Sequence, residues 1–263
     1  MPNTRWLGRA PAVVVLVVAS ALVALPAPAT ARTCALVAHR GEHATATENG
    51  MRALRAAVRR GADYLEVDVR ATRDDRLVLM HDETLRRTTN GTGRVDARSA
   101  RGIERLRLND GGRVPSLRQA LRLGRDAGVR VLVDIKDMGR AVSYRRLARA
   151  VRDLGGGRVV VVSRFRTFLD RFGREAPRVA RGVVTKERLR PREFRRYGAA
   201  VVHHRAITAG WLAAMRDAGL PVFAWTVNTT DEWDRLSGRV RGVITDATAD
   251  YADYRRRSST CRR

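Results

Sequence analysis

Lysine, cysteine and aromatic residues are scarce in this chain, and each scarcity excludes something. Only Lys136 and Lys186 are lysines among 52 basic residues, so the formal net charge of +25 is carried almost wholly by arginine. The arginines are scattered through every segment instead of forming a tract. Such a field attracts polyanions, an anionic membrane or a cell-wall polymer peripherally, without selecting one of them. A compositional bias solvated over the whole surface accounts for it. Aromatic residues make up 5% of the chain, and no groove or stacking platform can be located, so no specific nucleic-acid partner is expected. The two cysteines, with no paired-histidine pattern beside them, do not form a zinc ligand set.

Hydrophobic residues still make up 44% of the sequence, which excludes a disordered chain. Its 263 residues suffice for one large core, and α/β barrels reach this size as a single domain. An apolar run over residues 12–25 follows Arg5 and Arg9 and precedes Ala29-Thr30-Ala31, a small-x-small cleavage site. The run falls short of the ~20 residues that span a bilayer. The expectation is a signal peptide over residues 1–31, a mature domain over residues 32–263, and secretion. Thr33 stands where a lipoprotein signal places a small residue before its cysteine, which argues against lipidation. In an oxidising compartment, Cys34 before the first strand and Cys261 near the end read as a disulfide, with two free thiols as the alternative.

Periodicity organises the remainder. Residues 35–39 form a short apolar strand, and residues 48–60 a helix with Met51, Leu54 and Val58 on one face and Gly61 as its stop. A second strand covers residues 62–70. Residues 72–76 are too few for a crossover helix, so residues 77–81 return as an antiparallel hairpin. A turn centred on Asp74-Asp75 pairs 72 with 77, 70 with 79 and 68 with 81, setting His81 opposite Asp68. Residues 83–114 are polar, glycine-bearing and weakly periodic, the pattern of an insertion. From Pro115 onward helices alternate with strands at 130–135, 158–163, 178–184, 199–203, 222–227 and 241–245. Eight strands alternating with helices predict a (β/α)8 TIM barrel, with a β-hairpin and a small insertion after strand 2.

A barrel carries its reactive groups at strand C-terminal ends. Glu66 and Asp68 alternate with Leu65, Val67 and Val69, so both carboxylates share one strand face. Two anions on one face of an apolar strand repel each other and resist desolvation unless a cation sits between them. Asp134-Ile135-Lys136 repeats that alternation at the end of the third strand. Glu66, Asp68 and Asp134 are therefore candidate ligands of one divalent cation, Ca²⁺ or Mg²⁺. Arg40 and Lys136 supply positive charge for a bound phosphate, and Asn49 is grouped with them. His39 and His81 are the residues able to exchange protons near neutral pH. Trp225 reads equally as packing and as a wall for substrate. His43 is read as a solvated loop residue, and Arg87 with Thr88-Thr89 as fastening the insertion. The assembly suits phosphodiester cleavage.

Several motifs carry a resemblance. His39-Arg40-Gly41, Glu48-Asn49, Glu66-Val67-Asp68-Val69, His81-Asp82, Val114-Pro115-Ser116-Leu117, Asp134-Ile135-Lys136, Trp225-Thr226-Val227-Asn228 and Gly242-Val243-Ile244-Thr245-Asp246 closely resemble glycerophosphodiester phosphodiesterases. The likeness covers nearly the whole chain after the leader. It implies divalent-metal-dependent hydrolysis of small glycerophosphodiesters to glycerol 3-phosphate and an alcohol. It also implies His39 and His81 as the acid/base pair and Glu66, Asp68 and Asp134 as metal ligands. Departures are Thr47 and Gly50 around Glu48-Asn49, aspartate in place of glutamate at Asp134, and His203-His204-Arg205 in place of a His-Pro pair. Two other readings stand beside this one. A phospholipase D-like hydrolase of lysophospholipids or sphingomyelin would use a similar histidine pair, and a non-catalytic basic protein would bind phosphate polymers.

Overall fold

The computed structural model describes residues 34–155 and 157–261; the expected leader and its cleavage site lie outside them. In chain order the elements are β1 (Ala35–Ala38), α1 (Met51–Arg59), β2 (Tyr64–Ala71), β3 (Leu77–Leu79), α2 (Ala100–Glu104), α3 (Leu117–Asp126), β4 (Arg130–Asp137), α4 (Ala141–Gly155) and β5 (Val159–Ser163). They continue with α5 (Arg166–Glu175), β6 (Ala180–Thr185), α6 (Pro191–Phe194), β7 (Ala200–His203), α7 (Ala209–Asp217), β8 (Val222–Trp225), α8 (Thr230–Leu236), β9 (Gly242–Thr245) and α9 (Thr248–Arg257). Among the described residues, eight parallel strands run β1-β9-β8-β7-β6-β5-β4-β2, and β2 pairs back with β1 to close the ring. The fold is a TIM barrel, and β3 lies outside the ring as an antiparallel partner of β2.

Strand alternation sorts the side chains into two layers. Leu65, Val67 and Val69 of β2 and Val131, Val133 and Ile135 of β4 face outward, where they pack with Leu54, Leu117, Leu121 and Tyr144 from the surrounding helices. Burial of each such side chain contributes about 1.5–3 kcal/mol relative to exposure. The opposite faces form a second cluster in the barrel interior, including Val37, Tyr64, Leu132, Val162, Val201, Phe223 and Ile244. On β2 the inward row reads Tyr64, Glu66, Asp68, and on β4 it reads Leu132, Asp134, Lys136. The interior is thus apolar at its base and charged at the C-terminal mouth.

Two expectations need correction. Helix α1 begins at Met51, three residues after Glu48, because Asn49 adopts a left-handed conformation (φ 59°) that no helix accommodates. The hairpin register is shifted by one: Val69 pairs with Leu79, Arg70 with Val78 and Ala71 with Leu77. Thr72 N–H donates to Arg76 O, leaving an odd, three-residue loop in which Asp75 takes the left-handed position (φ 58°). Met80 rather than His81 therefore stands opposite Asp68, donating its N–H to Asp68 O at 3.1 Å. His81 enters the mouth from the segment beyond β3. The expected insertion is present and has an interior of its own. It contains α2, and Leu85, Val95, Ile103, Leu108 and Val114 form a third apolar cluster with Val78 and Met80.

The expected disulfide is present. Cys34 and Cys261 are bonded with Cα atoms 5.6 Å apart, tying the start of β1 to the end of α9.

Candidate active site

The site begins with backbone geometry after β1. Arg40 (φ 57°) and Gly41 (φ 87°) are both left-handed, and a Cβ at residue 41 would lie 2.7 Å from the backbone carbon of Ala53. Glycine alone permits this approach of the turn to α1. The turn directs Arg40 N–H onto Glu66 Oε2 at 2.9 Å and places the guanidinium between Glu48 (3.1 Å) and Asp68 (3.1 Å).

Parallel register then assembles the acids. Asp68 and Asp134 are direct neighbours across β2 and β4. One carboxylate oxygen from each of Glu66, Asp68 and Asp134 lies within 4.8 Å of the other two, and all three residues are buried. Lys136 Nζ bridges the group, 2.5 Å from Asp134 Oδ2 and 3.0 Å from Asp68 Oδ1. Burial, joined by the charges of Asp68 and Asp134, raises Glu66 well above the ordinary carboxylate range. Burial also raises Asp134, with Lys136 opposing it. Asp68 feels the same burial, but Lys136 and Arg40 hold it down at about 2. A hard, all-oxygen donor set with one acid driven toward its protonated form fits a divalent cation of the Ca²⁺ or Mg²⁺ kind.

Both histidines are held by their Nδ1 atoms. His39 Nδ1 meets Asp246 Oδ1 at 2.6 Å, and His81 Nδ1 meets Asp82 Oδ1 at 2.8 Å. Each carboxylate fixes its ring and leaves Nε2 as the nitrogen for chemistry. Asp246 is itself strongly depressed; burial works against this, and the bonds from His39 and His43 overcome it. Arg87 donates to Asp82 at 2.6 Å and holds it near 2. The same guanidinium grips both oxygens of Glu48, at 2.6 and 2.9 Å. A continuous charged chain therefore runs from His81 through Asp82, Arg87, Glu48 and Arg40 to Asp68.

His39, Arg40, Glu66, His81, Asp134 and Lys136 line one cavity of about 690 Å³ at the barrel mouth. Trp225 lines it too, with its indole N–H on Val201 O at 3.2 Å, so it serves as both packing and wall. Asn49, grouped with the phosphate-facing residues, sits elsewhere: it is buried beneath Asp68 with its amide committed to that residue. Sequence reasoning gave no site role to four participants. Asp82, Asp246 and Glu48 carry the histidine and arginine contacts, and His43 Nε2 shares Asp246 Oδ1 at 3.0 Å instead of lying solvated. Strand-end position was the available signal for Asp246; loop geometry hid His43.

A barrel whose C-terminal mouth joins two carboxylate-held imidazoles to three clustered acids and two cations is built as a phosphoric diester hydrolase. Comparison with known proteins gives the same class. The glycerophosphoryl diester phosphodiesterase family pattern matches residues 39–250. A glycerophosphodiester phosphodiesterase of Caldanaerobacter subterraneus is 30% identical over 228 residues, covering 80% of this chain and 93% of that protein. The crystal structure of a glycerophosphodiester phosphodiesterase from Agrobacterium tumefaciens matches with a TM-score of 0.76 and 26% identity, over 84% of this chain and 99% of that one. An Oleispira antarctica phosphodiesterase, solved with its product sn-glycerol-3-phosphate, shares the fold at a TM-score of 0.77 and 19% identity, over 83% and 95% of the two chains. The chain belongs to the glycerophosphoryl diester phosphodiesterase family and is an enzyme.

Proposed function

We propose that this chain hydrolyses glycerophosphodiesters to glycerol 3-phosphate and an alcohol, by proton transfer between His39 and His81. The observation that carries the reading is the shared cavity: both carboxylate-held imidazoles open onto the space that also holds Glu66, Asp134, Arg40 and Lys136. Arg40 and Lys136 bind the phosphate oxygens and orient phosphorus between the two rings. One imidazole accepts the proton of a neighbouring glycerol hydroxyl as its oxygen attacks phosphorus. The other gives a proton to the alcohol oxygen as the phosphorus–oxygen bond breaks. A water molecule then opens the cyclic phosphodiester with the two roles exchanged. Asp246 and Asp82 stabilise whichever ring is protonated at that moment.

Glu66, Asp68 and Asp134 would hold one divalent cation, Ca²⁺ or Mg²⁺, which as a Lewis acid polarises a phosphoryl oxygen. The leader-like residues 1–31 support secretion, with the barrel of residues 32–263 as the mature domain, and the Cys34–Cys261 bond suits an oxidising compartment.

The test is incubation of the purified protein with glycerophosphocholine, lysophosphatidylcholine and sphingomyelin in the presence of Ca²⁺ or Mg²⁺. Release of glycerol 3-phosphate from the first is expected. Turnover of micellar substrates alone would transfer the reading to a phospholipase D-like hydrolase, and turnover of none of these nor of glycerophosphoinositol would reject catalysis.

A further inference from the structure

Five cations line the cavity: Arg40, Arg70 and Lys136 on the strands that carry the acids and the first histidine, with Arg70 Nε donating to His81 O at 2.9 Å, and Arg164 and Lys186 away from them. Arg40 and Lys136 are paired with the acids of the site. Arg164 and Lys186 are exposed; the Arg164 guanidinium lies over the Phe165 ring, 4.5 Å from its centroid, and among the described residues neither cation is in an ion pair. Their position follows from the ring order. Arg164 directly follows β5 and Lys186 directly follows β6, so both stand at strand C-terminal ends on the mouth. Counting round the ring, β6 lies diametrically across from β1, which carries His39 and Arg40, and β5 lies across from β9, which leads to Asp246. The mouth therefore has a catalytic half, and a far half whose charged lining is positive. Glu66 and Asp134, the acids that line the cavity, both belong to the catalytic half.

An anion placed between the histidines leaves Arg164 and Lys186 unmatched across the cavity. A quaternary ammonium group there would meet two like charges, with Trp225 as the single aromatic ring lining the wall. The glycerol arm of the substrate carries only hydroxyls, so a second anion can enter only with the alcohol. We propose that Arg164 and Lys186 form a subsite for a phosphate carried on the alcohol moiety, making phosphorylated polyol diesters, and not choline or ethanolamine diesters, the preferred substrates. This rests on the phosphodiesterase reading and specifies its leaving group.

One pair of substrates isolates the added group: glycerophosphoinositol and glycerophosphoinositol 4-phosphate. The 4-phosphate is expected to raise kcat/KM by about tenfold, equivalent to about 1.4 kcal/mol. In Arg164→Gln/Lys186→Gln that advantage is expected to collapse toward unity. The control is Arg178→Gln/Arg239→Gln, which removes the same charge at the N-terminal end of the barrel, just before β6 and β9. It is expected to keep the advantage, because steering by total charge does not depend on position in this way. Oligo(glycerol phosphate), assayed beside these, decides whether the second phosphate belongs to a monomer or a polymer.

The proposal is overturned if the 4-phosphate gives no advantage, if glycerophosphocholine is preferred, or if both double variants lose the advantage equally. Failure to hydrolyse any diester counts against the phosphodiesterase reading instead. Calorimetric titration of the two inositol compounds then decides the subsite alone: the 4-phosphate must lower Kd by about tenfold, and equal affinities reject it.

Discussion

Asn49 and Asp68 exchange two hydrogen bonds: Asn49 Nδ2 donates to Asp68 Oδ2 at 2.8 Å, and Asp68 N–H donates to Asn49 Oδ1 at 3.0 Å. Both residues are buried, and Asn49 holds the left-handed conformation that asparagine tolerates better than most residues. Asn49→Ala removes both bonds and leaves a buried N–H without a partner, at a cost of about 1–3 kcal/mol. Chemical denaturation should show a loss of that size, with diesterase activity falling as Asp68 loses its support. A variant as stable and active as the parent would remove Asn49 from this role.

The two imidazoles should be separable from the fold. His39→Ala and His81→Ala are each expected to lower kcat by at least about 100-fold, the low end of what a positioned acid or base contributes. Circular dichroism and melting temperature should stay close to those of the parent, because both rings sit at the mouth and outside the packed layers. Retention of full turnover in either variant would end its assignment as a proton carrier.

Cation binding has a readout independent of catalysis. A ligand at about 100 times its Kd stabilises the folded state by about 2.7 kcal/mol, so millimolar Ca²⁺ or Mg²⁺ should raise the melting temperature. Glu66→Gln, Asp68→Asn and Asp134→Asn should each abolish the rise. Glu66 is raised by burial and by its acidic neighbours, so binding should also release protons, seen as a buffer-dependent heat in calorimetry. A melting curve indifferent to both cations and to EDTA would contradict the ligand set.

Asp82 sets an acid limit. Its folded value near 2, caused first by the Arg87 hydrogen bond, lies below the ~3.9 of an unfolded aspartate. A depressed carboxyl contributes stability that is full above its unfolded value and is lost as pH falls through the folded one. The melting-temperature advantage of the parent over Asp82→Asn should therefore hold above about pH 5 and shrink between pH 4 and pH 2. A gap that widens on acidification would reverse the assignment.

The disulfide closes a loop spanning a sequence separation of 227. Cys34→Ser/Cys261→Ser, or reduction of the parent, should cost about 2–5 kcal/mol. Unchanged denaturation midpoints with and without reductant would show that the bond contributes nothing.

Strand and helix order, the acids and the two histidines were legible because alternation of period two is local and depends on no tertiary information. Glu66 and Asp68 had to share a face wherever the strand went. Register was less legible. Whether the hairpin loop held an even or odd number of residues turned on Asp75 going left-handed, and Asp75 is held by Arg140 and Ser143 from far along the chain. His43, Asp246 and Glu48 were obscure for a related reason: their partners lie across closed strands or an insertion, and sequence distance says nothing of either. His81 reached the site although its expected pairing was off by one residue. The chain leaving β3 after Met80 turns the side chain of His81 into the mouth.

That insertion has its own apolar packing, distinct from both barrel clusters, while the short segment entering it supplies His81 to the mouth, with Asp82 and then Arg87 behind it. The rim can accordingly be remodelled as a cassette. Changes inside its small core would adjust how His81 is presented to the mouth, while the cylinder that positions the acids keeps its shape.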